Sequence, residues 1–335
     1  MTAPQYDALL ILSFGGPEQR EEVIPFLENV LRGRNVPRER MLEVAEHYYL
    51  FGGRSPINQN NRDLIAALQV ELNTHGPALP IYWGNRNWHP LLADTLRQMR
   101  ADGVRRVLAF VTSAFGSYSG CRQYLEDIDR ARAEVGPDAP EIHKLRTFHN
   151  HPGFIEAVAD RLRAAMESLP PERVAVARLI FTAHSIPLAM AQSSPYVAQL
   201  NEAADLVARY IPWTLAYQSR SGPPSQPWLE PDIADVIRAC HNEGVSDIIV
   251  SPIGFLSDHM EVVYDLDTEA AALSRELGIT LHRAGAAGVH PAFVSMIREL
   301  ILERTEGLRN DACAPECCAR TQRTPSVGAI CGRPA

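Results

Sequence analysis

The chain has 335 residues, 46% of them hydrophobic and 21% charged, and a formal net charge of −8. Its length suits two α/β domains of ordinary size, and its composition is globular rather than disordered or fibrous. The acidic balance with no long basic stretch excludes nucleic acid as the expected partner, and the longest apolar runs, "ALLIL" and "VLAFV", are strand-sized and far short of a membrane span.

The N-terminal "MTAPQYDALLIL" lacks a basic region and a cleavage site, so it reads as a first core strand rather than a signal peptide. A soluble, cytoplasmic protein is the expectation. "DALLILSFGGP" (Asp7–Pro17) is an apolar run that ends in a glycine-rich turn. Amphipathic helical stretches follow, "NRDLIAALQVELNTH" and "PLLADTLRQMRADG", and then a second strand with a small-residue turn, "GVRRVLAFVTSAFGSYSG" (Gly103–Gly120). The second half repeats the pattern with "ARLIFTAHSIP" (Ala177–Pro187) and "GVSDIIVSPIGFLSDH" (Gly244–His259). Alternating strands and helices imply parallel sheets with crossover helices. The expected fold class is therefore α/β, with two similar doubly wound, Rossmann-like parallel-sheet domains and a cleft between them. The expected division is residues 1–150, residues 151–305 and a cysteine-rich tail at 306–335, with the last helix able to pack back on the first domain. Ligands bind such sheets beyond the carboxyl ends of the strands, which singles out "SFGGP", "TSAFGSYSG", "TAHSIP" and "GFLSDHMEV". None is a dinucleotide fingerprint or a P-loop, which disfavours nicotinamide and ATP chemistry.

His184 closes one strand at this edge, and "SDHMEVVYDLD" follows another. On an α-helix, Asp258, Glu261, Asp265 and Glu269 would fall at i, i+3, i+7 and i+11, on one face. A lone strand-end histidine often only caps, and an acidic face is often only solvated. Together, an imidazole opposite a carboxylate can bind a divalent transition metal or accept a proton. Six cysteines complete the inventory. Cys313, Cys317, Cys318 and Cys331 crowd the tail as C-x₃-C-C-x₁₂-C, which suits an iron–sulfur centre or tetrahedral zinc, while Cys121 lies on a loop and Cys240 on an amphipathic helix as a core residue.

"FTAHSIP" and "GFLSDHMEVVYDLD" closely resemble the two signatures of ferrochelatases, which insert Fe²⁺ into a porphyrin. The likeness extends over nearly the whole chain through "LLILSFGGPE", "FGGRSPIN" and "SRSGPPSQPWLEP". "YWGNRNWHP" and "QSRSGPP" are most similar to a bacterial branch that converts coproporphyrin III to coproheme; protoporphyrin IX is the second substrate choice. The resemblance implies that His184 and Glu261 flank the metal, and that Asp265 and Glu269 continue a ferrous-ion path. Which of His184 and Glu261 delivers iron and which takes protons stays open. The resemblance also implies a macrocycle slot at Phe14, Gly52, Gly53, Ser55 and Pro56 with Trp228 below, and propionate contacts among Arg32, Arg34, Arg54, Ser55 and Tyr124. Phe14 stands where many members carry a tyrosine, so that position can only pack. A [2Fe–2S] cluster on Cys313, Cys317, Cys318 and Cys331, with Cys121 as an alternative ligand, is implied by the likeness to members with a C-terminal cluster. Two other readings stand beside this one: a non-catalytic heme- or metal-binding protein, and a cobalt or nickel tetrapyrrole chelatase, for which His259 would matter. Oligomeric state is not encoded legibly; a monomer is the default expectation.

Overall fold

The computed structural model describes residues 6–33, 36–221, 225–307 and 317–318. Two four-stranded parallel sheets carry the chain. The first holds β1 (Ala8–Ser13), β2 (Ile81–Asn85), β3 (Arg106–Val111) and β4 (Glu141–Lys144) in the order β2-β1-β3-β4. The second holds β5 (Arg178–His184), β6 (Trp213–Gln218), β7 (Asp247–Ser251) and β8 (Thr280–Arg283) in the order β6-β5-β7-β8. The same order therefore occurs twice. Leu9 sits between Ile81 and Leu108 in the first sheet, as Leu179 sits between Trp213 and Ile249 in the second.

The inner strands read as continuous apolar runs because helices cover both faces. Every residue of β1 and of β7 is buried. In each sheet the chain leaves the first strand for a neighbour on one side and returns on the other. That switch opens a crevice beyond the carboxyl ends of β1 and β3, and of β5 and β7. Contacts between the halves cross this region. Gln199 Oε1 accepts from the Gly116 N–H at 2.6 Å, and Asn60 Nδ2 donates to the Asp258 carbonyl at 3.3 Å.

The helix Pro291–Thr305 follows the second sheet but packs on both halves, against Pro152–Glu167 and against Ile57–His75. Its Arg298 Nε donates to the Gly76 carbonyl at 2.7 Å, and its Arg304 Nε donates to the Tyr6 hydroxyl at 3.1 Å. The largest apolar cluster is shared accordingly. Leu9, Ile11 and Phe110 of the first sheet join Phe148, Phe154, Phe181, Leu200, Phe293 and Ile297. Among the described residues no helix is long and apolar enough to cross a membrane.

Candidate active site

β5 ends in His184 at the carboxyl edge of its sheet, and the loop after the adjacent β7 leads to Glu261. Their side chains meet, with His184 Nε2 3.6 Å from Glu261 Oε1. His184 Nδ1 lies 2.5 Å from the Ser185 carbonyl. A carbonyl only accepts, so Nδ1 carries a hydrogen and Nε2, which faces Glu261, is the nitrogen that gains or loses the second proton. The Tyr196 hydroxyl fixes the strand end by donating to the His184 carbonyl at 3.0 Å. Burial pushes the His184 pKa down, but the nearby Glu261 charge and the Ser185 carbonyl outweigh it, and the net shift is upward. Burial likewise works against Glu261 ionising, yet His184 holds its carboxyl at about 2. Both side chains keep an open side, 32% exposed for His184 and 47% for Glu261. The pair is thus a preformed proton couple that a ligand in the cleft can reach.

The backbone after His259 departs from the α spacing read from the sequence. Met260–Val262 forms one short turn, and Val263–Ala270 continues as a π-helix. Asp258 precedes it in an irregular loop and pairs with Arg283, 2.8 Å away, so it does not extend the acidic row. The row is Glu261, Asp265 and Glu269. Burial raises the Asp265 pKa to about 7, and the charges of Glu261 and Glu269 add to that, which places the three carboxylates within electrostatic reach of one another. Ser219 donates to Asp265 through a short hydrogen bond, and Gln218 Nε2 approaches the same oxygen at 3.3 Å. His259 turns back into the structure. Its Nδ1 accepts from the Glu261 N–H at 3.3 Å, and its ring lies edge-on to Phe255.

The slot residues split into groups. Phe14 is 37% exposed and meets Phe26 edge to face. Ser55 is buried, and its N–H donates to the Pro17 carbonyl at 2.8 Å, tying the two loops together. Gly52 is exposed and Pro56 half-buried beside them. Gly53 serves packing: with φ +77° and a would-be Cβ 2.5 Å from the Arg20 Cα, only glycine fits there. Trp228 is half-buried, bridged to Pro187, and its indole N–H is buried without a partner. Arg32 and Arg54 are exposed, and Arg34 lies outside the described residues. Tyr124 is buried in the first domain's core, with the Arg86 guanidinium 3.8 Å from its ring centre.

Side chains with no sequence signature complete the cleft. Tyr264 of the π-helix stacks on His47 of the helix Arg38–Leu50, with ring centres 3.9 Å apart and planes 11° from parallel. Tyr48 is close enough to Glu261 for that charge to oppose its ionisation, after burial itself.

Of the tail cysteines, Cys313 and Cys331 lie outside the described residues. Cys317 and Cys318 have their sulfurs 3.6 Å apart, and Cys318 packs with buried Cys121. The Cys318 thiol is pushed far up, first by its hydrogen bond with Cys121, then by burial and by the two neighbouring sulfurs. The Cys121 and Cys317 sulfurs thus both oppose the ionisation of the buried Cys318 thiol. Cationic metal there would relieve that opposition. Among the described residues no ready-made metal-binding group of three or more His, Cys, Asp or Glu occurs. Cys240 is buried in the second domain's core.

Comparison with known proteins places the chain in a family. A ferrochelatase from Rhodopirellula baltica is 55% identical, over 99% of this chain and 98% of its own. A coproporphyrin III ferrochelatase from Nocardia farcinica is 50% identical, over 96% of this chain and 99% of its own. Among solved structures, the SirB protein of Bacillus subtilis superposes with a TM-score of 0.53 at 14% identity, over 90% of this chain and 98% of its own, and shares the fold. The ferrochelatase family model matches residues 6–305. The chain belongs to the ferrochelatase family.

Proposed function

We propose that this protein inserts Fe²⁺ into coproporphyrin III, with protoporphyrin IX the poorer substrate. The observation that carries the reading is the His184–Glu261 couple at the cleft, continued by Asp265 and Glu269. Porphyrin metallation is not a redox step. Iron keeps its charge, four Fe–N bonds form, two N–H bonds break and two protons leave. The site needs a base and a transient oxygen-ligand path. His184 Nε2 is the base: Glu261 raises its affinity for a proton, and Ser185 orients the ring. Asp265 and Glu269 are hard oxygen ligands that hold ferrous iron loosely enough to release it toward Glu261. Phe14 and Trp228 offer apolar faces to the macrocycle, and Arg32 and Arg54 offer cations to its carboxylates. The preference for coproporphyrin is supported by the relatives named for that substrate.

The cysteines fit a [2Fe–2S] cluster held by Cys121, Cys317 and Cys318, with Cys313 or Cys331 as the fourth ligand. Bound there, a cluster would cross-link the tail to the first domain, and metal insertion calls for no electron from it.

An anaerobic assay with Fe²⁺, run in parallel on coproporphyrin III and protoporphyrin IX, tests the function. Faster turnover of coproporphyrin is expected, with His184→Ala and Glu261→Gln each losing about 10²–10⁴-fold. Equal or greater turnover of protoporphyrin overturns the substrate choice. Near-normal insertion by either folded variant overturns the site.

A further inference from the structure

The segment bearing Glu261 and Asp265 is unusual backbone. A π-helix over Val263–Ala270 is long for a conformation that mostly appears as single turns inside α-helices. Local bonding does not favour it over the α form, so tertiary contacts select it. Some act through the cleft side: Ser219 and Gln218 on Asp265, and His47 on Tyr264. Asp267 lies two residues beyond Asp265 and so faces elsewhere.

There Arg283, the last residue of β8, holds Asp267 of the segment together with Asp258 of the loop that leads into it. Its Nη1 donates to Asp258 Oδ1 at 2.8 Å and its Nη2 to Asp258 Oδ2 at 3.2 Å, a two-pronged pair. Its Nε reaches Asp267 Oδ1 at 2.5 Å. Nη1 also donates to the Ala284 carbonyl at 3.2 Å. Glu261 and Asp265 lie between the two clamped aspartates. Arg283 also lines a cleft of about 300 Å³ with Arg161, Ser168, His282 and Gly285, so on that side the carboxylates rather than close packing fix the guanidinium. Its backbone pairs with Val250 of β7, whose other neighbour is β5, the strand that ends in His184. The clamp thus refers the carboxylate segment to the sheet that holds the imidazole.

We propose that Arg283 is a positioning residue, which sets Glu261 and Asp265 against His184 by gripping Asp258 and Asp267 together. The proposal rests on the role given above to Glu261 and Asp265. A lysine keeps the charge but has no planar fork to reach both carboxylates. Misplacement of reacting groups by about 1 Å can cost 10²-fold in rate.

The test compares Arg283→Lys, Arg283→Met, Asp267→Asn and the Arg283→Met/Asp267→Asn double variant, with Glu261→Gln in parallel. Fe²⁺ insertion kinetics, porphyrin Kd by fluorescence quenching and Tm are read for each. Arg283→Lys is expected to keep porphyrin Kd and most of its Tm but to lose about tenfold or more in kcat/KM for Fe²⁺. The double variant is expected to be no worse than Arg283→Met, because the two residues act as one unit. Wild-type iron kinetics in Arg283→Lys and Arg283→Met, with Glu261→Gln inactive, overturn the clamp alone. Loss of porphyrin Kd and Tm in step with every kinetic constant reduces Arg283 to fold support and also overturns it. An active Glu261→Gln removes the site reading itself.

Discussion

His184 carries two opposing influences whose balance decides its chemistry. Burial favours the neutral ring, while Glu261 favours the imidazolium, and Glu261 prevails. The consequence has a definite sign. In the wild type His184 titrates above the ordinary histidine value of about 6.5, and its proton-accepting form accumulates only as pH rises past that point. Glu261→Gln removes the dominant upward cause and leaves burial opposed only by the Ser185 carbonyl and the Asp265 charge, so the titration moves down. Histidine NMR across a pH series, with His184→Ala to assign the signal, checks this. An unmoved midpoint in Glu261→Gln means that Glu261 does not govern the imidazole. His184 was legible in the sequence because a histidine ending a buried strand lies at the ligand edge of an α/β sheet whatever the family. The packing of Tyr124 was not, because the Arg86 guanidinium that covers it comes from just beyond β2, and no local pattern announces such a contact.

At the scale of elements, the parallel sheets and the ligand edge were readable from apolar runs and turn residues, since burial on both faces writes itself directly into composition. The acidic segment was readable only in part. The α-helical spacing collects Asp258 with Glu261, whereas the helix starts only at Met260 and widens into a π-helix, and Asp258 turns to Arg283. A π-helix has no propensity signature, because contacts far away in sequence select it. The tail is a similar case. The spacing within it points to metal, but the sequence ranks Cys121 only as a substitute, and the fold puts Cys121 beside Cys318. Protein purified anaerobically is therefore expected to be coloured and to hold equimolar iron and acid-labile sulfide. Cys121→Ser is expected to lose both, as is Cys318→Ser, while Cys240→Ser keeps them. A colourless wild type without sulfide removes the cluster, and a fully loaded Cys121→Ser returns the ligand set to the tail alone.

At the scale of the molecule, the repeated sheet order suggests two independent units, but the packing does not divide so cleanly. Phe293 is fully buried on the helix Pro291–Thr305 and touches Phe110 of the first sheet as well as Phe148 and Phe154. Phe154 in turn meets Phe115 of the first half, and Phe115 meets Tyr196 of the second. One aromatic chain thus runs from the first sheet to a helix of the second half, and the returning helix closes it. Removing Phe293 opens a cavity that neither half can fill alone, at a cost of about 3–5 kcal/mol. Because the cavity belongs to both halves, Phe293→Ala is expected to lower the stability of both together. Single-tryptophan variants retaining Trp83, in β2, or Trp213, in β6, report the two sheets separately during urea unfolding. Coincident midpoints in the parent, shifting together in Phe293→Ala, are the expected result. A midpoint that moves for Trp213 while Trp83 stays in place means that the sheets unfold independently. The cleft would then be hinged between separate domains rather than set in one core. The distinction matters for the chemistry, because His184 and Glu261 come from the second half while Phe14, Ser55, Tyr48 and His47 come from the first. A shared core holds the two walls in register without a ligand.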